Sequence, residues 1–263
     1  MTGNKPFVCF RSAVFREKKL EDVIDHLVKT GYDGIEIAPF HLKDKAAPEL
    51  AAIRRLAAET GLRIAMLSPH FALTRDIPQR LEQSLATAGF AVVIANALAG
   101  SEGPPMIRVV TDSGAGSIGA GNASPEHWQR ATHALRRITA LDPGMVFALE
   151  TAPDTLADQP DAALRLLDAV GARNLWLSYR PAEADPVAEW RTLRHAVRHV
   201  HLPGPDTFGG AGGRQSGAHR LSELIAALRS DGYAGSVSLG YQRTDKPWEE
   251  AATARGWLRN LGL

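Results

Sequence analysis

Cysteine is almost missing from this chain. Cys9 is the only one in 263 residues, so the protein can close no internal disulfide and build no Cys-x-x-Cys zinc knuckle, and its composition suits a reducing cytoplasm. Because Cys9 lies in the apolar run FVCF (7–10), it reads as packing rather than as a nucleophile. An excess of charge is missing too. Lys and Arg number 30 against 29 Asp and Glu, which gives no electrostatic footing for nucleic acid or an anionic membrane. The most apolar stretch, FAVVIANAL (90–98), is too short to span a bilayer and reads as a buried helix. The opening MTGNKPFVCF has no basic segment followed by a long apolar one, so no secretory leader is expected. Neither GxxxxGK[ST] nor a GxGxxG opening a helix inside a Rossmann unit occurs. No linker or low-complexity tract interrupts the chain, which predicts one domain over residues 1–263.

What is present is a repeated joint. LVKTGYDGIEI (27–37) and LRSDGYAGSVSL (228–239) each run from the end of an amphipathic helix through Gly-Tyr-x-Gly into an extended segment. Gly31 and Gly232 stand where a helix C-terminus favours a left-handed residue, and the glycine three positions on lets the backbone pass close to a neighbour. Strand-like runs are FVCF (7–10), GIEI (34–37), RIAML (63–67), MIRVV (106–110), MVFALE (145–150), NLWLSY (174–179), RHVHL (198–202) and SVSLGY (236–241). Helical patterns alternate with them. Leu20, Val23, Ile24, Leu27 and Val28 form a one-sided stripe, while Ser124-Pro125-Glu126 and Asp185-Pro186 mark helix starts. Eight strands alternating with helices in a chain of this length predict an α/β fold, a single (β/α)8 barrel.

In such a barrel the chemistry sits where the strands end. Two irregular stretches, 111–125 after strand 4 and 202–219 after strand 7, fall on that rim and read as lids or as a glycine-rich anion cradle. Side-chain alternation puts Glu150 at the mouth, at the end of the otherwise apolar MVFALE. His199 and His201 share a parity, with His201 nearer the rim. Glu36 ends strand 2 and His70 follows strand 3. A carboxylate ending an apolar barrel strand is costly without a purpose, so Glu150 and His201 are read as functional. His199 reads as a satisfied core histidine, whereas Glu36 reads equally as a substrate contact or as a buried acid paired with an arginine or backbone groups.

The segment LETAPDTLADQPDAALRLLDAVGARNLWLSYRP (149–181), with GYDGIEI, RHVHL and GYAGSVSL, resembles the xylose-isomerase-like TIM barrels of the AP endonuclease family 2 type. This superfamily holds sugar epimerases, inosose dehydratases, hydroxypyruvate isomerases and endonuclease IV. The resemblance covers nearly the whole chain and implies a divalent ion held by a Glu, an Asp, a His and a Glu ending strands 5 to 8, with the two glutamates shuttling the substrate proton. Glu150 and His201 match the first and third. The strand 6 position reads Arg180, in Ser-Tyr-Arg-Pro, and the strand 8 position reads Gly240. Trp176, on the inward parity of Arg180, is bulkier than the small residue the family often has there.

A carboxylate and an imidazole beside a guanidinium make a poor site for a hard cation. No cofactor is therefore expected, and Mn, Mg, Co or Zn on Glu150 and His201 only if the altered site still binds one. Three readings stand open. Arg180 could replace the ion in an isomerase, epimerase or lyase acting on a small ketose, polyol or related carbonyl compound, with Glu150 as base and His201 and His70 orienting hydroxyls. The chain could bind a carbohydrate-like ligand without turnover. Or Arg180 could simply neutralise Glu150. An endonuclease IV-like role is disfavoured by the sparse ligand set and the balanced charge. The sequence leaves open whether copies of the chain associate.

Overall fold

A computed structural model describes residues 5–112, 114, 116–182, 184–204, 213–240 and 244–263, with the backbone alone for 213–216. The eight strand-like runs all form strands: β1 (Phe7–Arg11), β2 (Gly34–Ile37), β3 (Arg63–Leu67), β4 (Met106–Val109), β5 (Phe147–Glu150), β6 (Leu175–Tyr179), β7 (Val197–Pro203) and β8 (Ser236–Gly240). They are parallel and close in chain order, with β8 pairing back onto β1 through Val8–Val237 and Cys9–Ser238. Helices α1 (Leu20–Thr30), α2 (Ala47–Thr60), α3 (Pro78–Ala97), α4 (Pro125–Thr139), α5 (Pro160–Val170), α6 (Pro186–Leu193), α7 (Gly213–Ser230) and α8 (Pro247–Asn260) surround the barrel. The chain folds as a single (β/α)8 barrel.

The strand sequences are apolar on both parities because one face meets the helices and the other fills the barrel. Leu149, Leu177, Val200 and Val237 point outward into the main core with the helix stripes, including Leu20, Val23, Ile24 and Leu27 of α1. Inside the barrel, Cys9, Ala65, Met66 and Ala148 form a small apolar floor. The repeated joint works as its sequence implies. Gly31 and Gly232 have φ of 81° and 66°, and a Cβ on Gly34 would come within 2.8 Å of the Arg63 carbonyl oxygen and of Cys9 Sγ. Asp185 caps α6 by accepting a hydrogen bond from the Ala188 N–H at 2.9 Å.

Two expectations need correction. The segment 90–98 lies within and just beyond α3, but that helix covers the outside of the barrel. Its other face leaves Phe90 and Val93 56% and 64% exposed, so the run is half-buried rather than buried. The stretch 202–219 is not one long loop, since α7 begins at Gly213; positions 205–212 lie outside the described residues, as do 113 and 115 of the stretch 111–125. Among the described residues no helix is long and apolar enough to cross a membrane.

Candidate active site at the barrel mouth

Strand alternation and register bring a polar layer to the C-terminal end of the barrel, above the apolar floor. Ala148 pairs with Trp176, and one step up Glu150 pairs with Ser178, so Trp176 lies below the level of Glu150. The register slips between Ile35 and Glu36 on the β2–β3 seam and between Leu177 and Ser178 on the β6–β7 seam. Such irregularities re-aim the side chains beside them. The result is two buried carboxylates, each with its own partners.

Glu150 is 1% exposed. Its Oε2 accepts a hydrogen bond from Arg108 Nη1 at 2.5 Å, and its Oε1 lies 2.7 Å from His201 Nδ1. That geometry makes Nδ1 the protonated nitrogen of His201, donating to the carboxylate. Arg108 also donates from Nη2 to the Pro69 carbonyl at 3.3 Å. Burial would push the Glu150 pKa up, but Arg108 and His201 outweigh it and hold the carboxyl well below its ordinary range.

Glu36, fully buried, accepts hydrogen bonds from Ser68 and, at 2.8 Å, from Ser238, and its Oε1 lies 3.2 Å from Arg11 Nε. Its pKa is about 2: burial opposes ionisation, and His201, Arg11, His199 and Arg108 together overcome it. His199 bridges Ser236 (Nδ1, 2.6 Å) and Ser238 (Nε2, 2.8 Å). Burial first, with smaller opposing effects from the charges around it, lowers its pKa to about 4, so it is neutral near pH 7.

The geometry brings Glu150 and His201 into contact. It leaves Glu36 as the buried, arginine-paired acid that the sequence offered as one of two readings. His70 is exposed at the rim beside Pro69, with its pKa lowered by the protein around it and then by Arg108, Arg11 and Arg16. Arg180 does not hold Glu150. It follows the end of β6, half-buried, with its backbone N–H donating to Thr151 Oγ1 at 2.8 Å and its carbonyl accepting from the same hydroxyl at 3.1 Å. Arg108, on the strand next to β5, occupies that place instead. Alternation points Arg108 of MIRVV into the barrel just as it brings Glu150 of MVFALE to the mouth, and a charge inside an apolar barrel strand carries the same cost. Arg11, the last residue of β1, is found the same way.

Gly240 also has a local reason. A Cβ there would collide with Nε2 of His201, so the imidazole takes the space a strand 8 side chain would need. The donors present do not fit a divalent ion. Both oxygens of Glu150 are engaged, one of them by a guanidinium that would repel a dication, and His201 turns Nδ1 toward the carboxylate. Among the described residues no group of three or more His, Cys, Asp or Glu could hold a metal ion.

Comparison with known proteins agrees with the fold. A family model described as xylose isomerase-like TIM barrel matches residues 24–261. Among solved structures, the probable 3-DHS dehydratase AsbF involved in petrobactin synthesis from Bacillus anthracis is 21% identical, with TM-score 0.77 over 97% of this chain and 99% of that one. The D-psicose 3-epimerase of Clostridium cellulolyticum H10 is 16% identical, with TM-score 0.78 over 97% and 99%. An L-ribulose 3-epimerase is 16% identical, with TM-score 0.79 over 98% and 94%. Identities this low establish the shared fold. Among curated proteins no sequence matches.

Proposed function

As the chain belongs to the xylose isomerase-like TIM barrel family, we propose that it is a sugar isomerase/epimerase-like enzyme. In this reading it acts on a small ketose, polyol or related carbonyl compound by proton transfer next to the carbonyl, without a divalent ion. The observation that carries this reading is Glu150: a carboxylate at the end of β5, 1% exposed and held between Arg108 and His201. Its two neighbours set its basicity in opposite directions from its burial. While Arg108 is on it, Glu150 is a weak base. When a ligand oxygen draws Arg108 away, burial dominates and the carboxylate becomes a proton acceptor.

The step is then balanced within the site. Glu150 takes the proton from the carbon next to the carbonyl, and the C–H electron pair shifts to the carbonyl oxygen. Arg180 stabilises that oxyanion and His201 and His70 orient hydroxyls; a hydroxyl proton passes from the oxygen of the deprotonated carbon to the oxyanion, and Glu150 returns its proton to the former carbonyl carbon, which leaves the carbonyl on the neighbouring carbon. Glu36, with a pKa of about 2 and bonded to Arg11, Ser68 and Ser238, holds the polar layer beside Glu150 against which the ligand is placed. The sugar epimerase and dehydratase relatives of the fold support the substrate class. A binding-only member is the second reading, favoured by the deep ion pairing of Glu150 in the resting site. Incubation of metal-stripped protein with a panel of ketoses and of keto acids derived from sugars in D2O separates the two. The enzyme reading expects deuterium at the carbon next to the carbonyl in at least one of them, lost in Glu150→Gln; no exchange with any of either kind while ligands still bind supports the second reading.

A further inference from the structure

Arg108 is only partly used by the resting protein. Nη1 meets Glu150 and Nη2 meets Pro69, but Nε is buried without a hydrogen-bond partner. Ser178 Oγ, on the strand beyond Glu150 and 0% exposed, is also without one. A buried donor left without a partner is unfavourable relative to a satisfied one, so this side of the mouth holds donors awaiting an acceptor. The surrounding charge has the same sense. Arg180, on the inward parity of the strand that carries Ser178, forms no ion pair among the described residues, and Arg16 lies over the Phe40 ring at 4.5 Å. The buried carboxylates Glu36, Glu150 and Asp112 are already matched by Arg11, Arg108 and Arg75. Among the described residues, what the mouth has to spare is cation.

We infer that the substrate carries a carboxylate, and that this group takes Arg108 from Glu150 when it binds. The inference rests on the proton-transfer reading, for it names the ligand atom that frees the base. A hydroxyl or a ketone cannot do this. A neutral oxygen offers a guanidinium roughly half the strength of the charge-assisted bond it would have to replace, so a neutral polyol leaves Arg108 where it is. A second carboxylate is an equal competitor: planar, two-oxygened, and able to reach Nε together with a terminal nitrogen in the fork geometry of arginine. The exchange brings one negative charge to the pair, and the proton transfer leaves that total unchanged: Glu150 becomes neutral as the charge passes to the oxyanion that Arg180 faces. A phosphate dianion is tetrahedral and would add surplus negative charge next to Glu150 in a slot where Arg108 is only 5% exposed.

Matched ligand pairs test this by calorimetry on the intact protein: D-gluconate against D-glucitol and L-lactate against propane-1,2-diol, with inorganic phosphate as a third arm. The expected result is that each carboxylate binds at least about tenfold more tightly than its neutral partner, and that phosphate binds more weakly than gluconate. The preference should vanish in R108M/E150Q, which removes both charges of the pair and so leaves no buried ion stranded. Its circular dichroism and melting curve confirm that it folds. Equal affinities within both pairs, a preference for phosphate alone, or a carboxylate preference that survives in R108M/E150Q would overturn the inference. Failure here is distinct from failure of the enzymatic reading. Exchange on neutral ketoses without carboxylate binding would sink only the inference, and carboxylate binding through Arg108 without exchange would sink only the enzyme.

Discussion

Replacing Arg108 by methionine isolates what the guanidinium does for the resting fold. The side chains of the pair are 6% and 2% exposed, so water cannot take over when the cation is removed. Breaking a buried pair by deleting one partner typically costs about 3–5 kcal/mol. The lower end applies here, because His201 still donates to Glu150 Oε1. For a chain of this size each kcal/mol is worth roughly 2–4 °C in melting temperature, so Arg108→Met should lower it by roughly 6–12 °C at neutral pH. The effect should depend on pH in a definite direction. In the native protein the depressed pKa of Glu150 stabilises the fold above the ordinary carboxylate range and is lost on acidification. In the variant burial is no longer offset by Arg108, the pKa rises, and protonation relieves the stranded charge. The gap between the two proteins should therefore narrow as pH falls from about 8 to about 5, and Arg108→Met/Glu150→Gln should recover most of the loss. Thermal melts across that range decide it. A fall of less than about 2 °C, unchanged by pH, would refute the view of Arg108 and Glu150 as a dry, mutually dependent pair.

Three other outcomes follow from the same geometry. Gly240→Ala places a methyl against His201 Nε2 and should displace the ring from Glu150, costing about 1–3 kcal/mol in overpacking, with the His201 imidazole resonance shifted in NMR spectra. Acid unfolding should proceed in two overlapping steps: neutral His199 stabilises the fold above its ordinary 6.5 and that contribution is lost as pH falls through about 4, while ionised Glu36 contributes above its ordinary 4.5 and is lost as pH falls through about 2. A stability profile by denaturant titration that is flat from neutral pH to about 4 would contradict the first step. Arg180→Asp with Gly240→Glu, which rebuilds the family's ligand set on paper, should gain no tight divalent-ion binding by calorimetry, because Arg108 still holds Glu150 and His201 fills the space the new glutamate needs.

The fold was legible because its signals are local and repeated. Runs such as GIEI and RIAML are bounded by glycines and helix caps, and the observed β2 and β3 coincide with them. Alternation also brought Glu150 and His201 to the same end of the barrel, where they meet. The cation was misplaced for a physical reason. Strand parity says which side a residue faces but not how far a flexible side chain reaches, and the family resemblance points to Arg180 at the strand 6 position. Arg108 sits on a neighbouring strand with the same inward parity, and its length lets it lie along the barrel to Glu150. The Ser68, Ser236 and Ser238 hydroxyls around Glu36 and His199 escaped notice because serine in a strand carries no distinctive sequence signal. Phe90 and Val93 defied the buried reading of their run because an apolar run carries no information about which helix face the barrel covers.

The central claim is that the side chains of Arg108 and His201, and not a divalent ion, hold Glu150. Elemental analysis of the purified protein after equilibration with Mn, Co, Zn and Mg, combined with a crystal structure of the same sample, tests it most directly. The account predicts substoichiometric metal and the Arg108–Glu150–His201 arrangement intact. One metal ion per chain, coordinated by both Glu150 and His201 with Arg108 turned away, would contradict it.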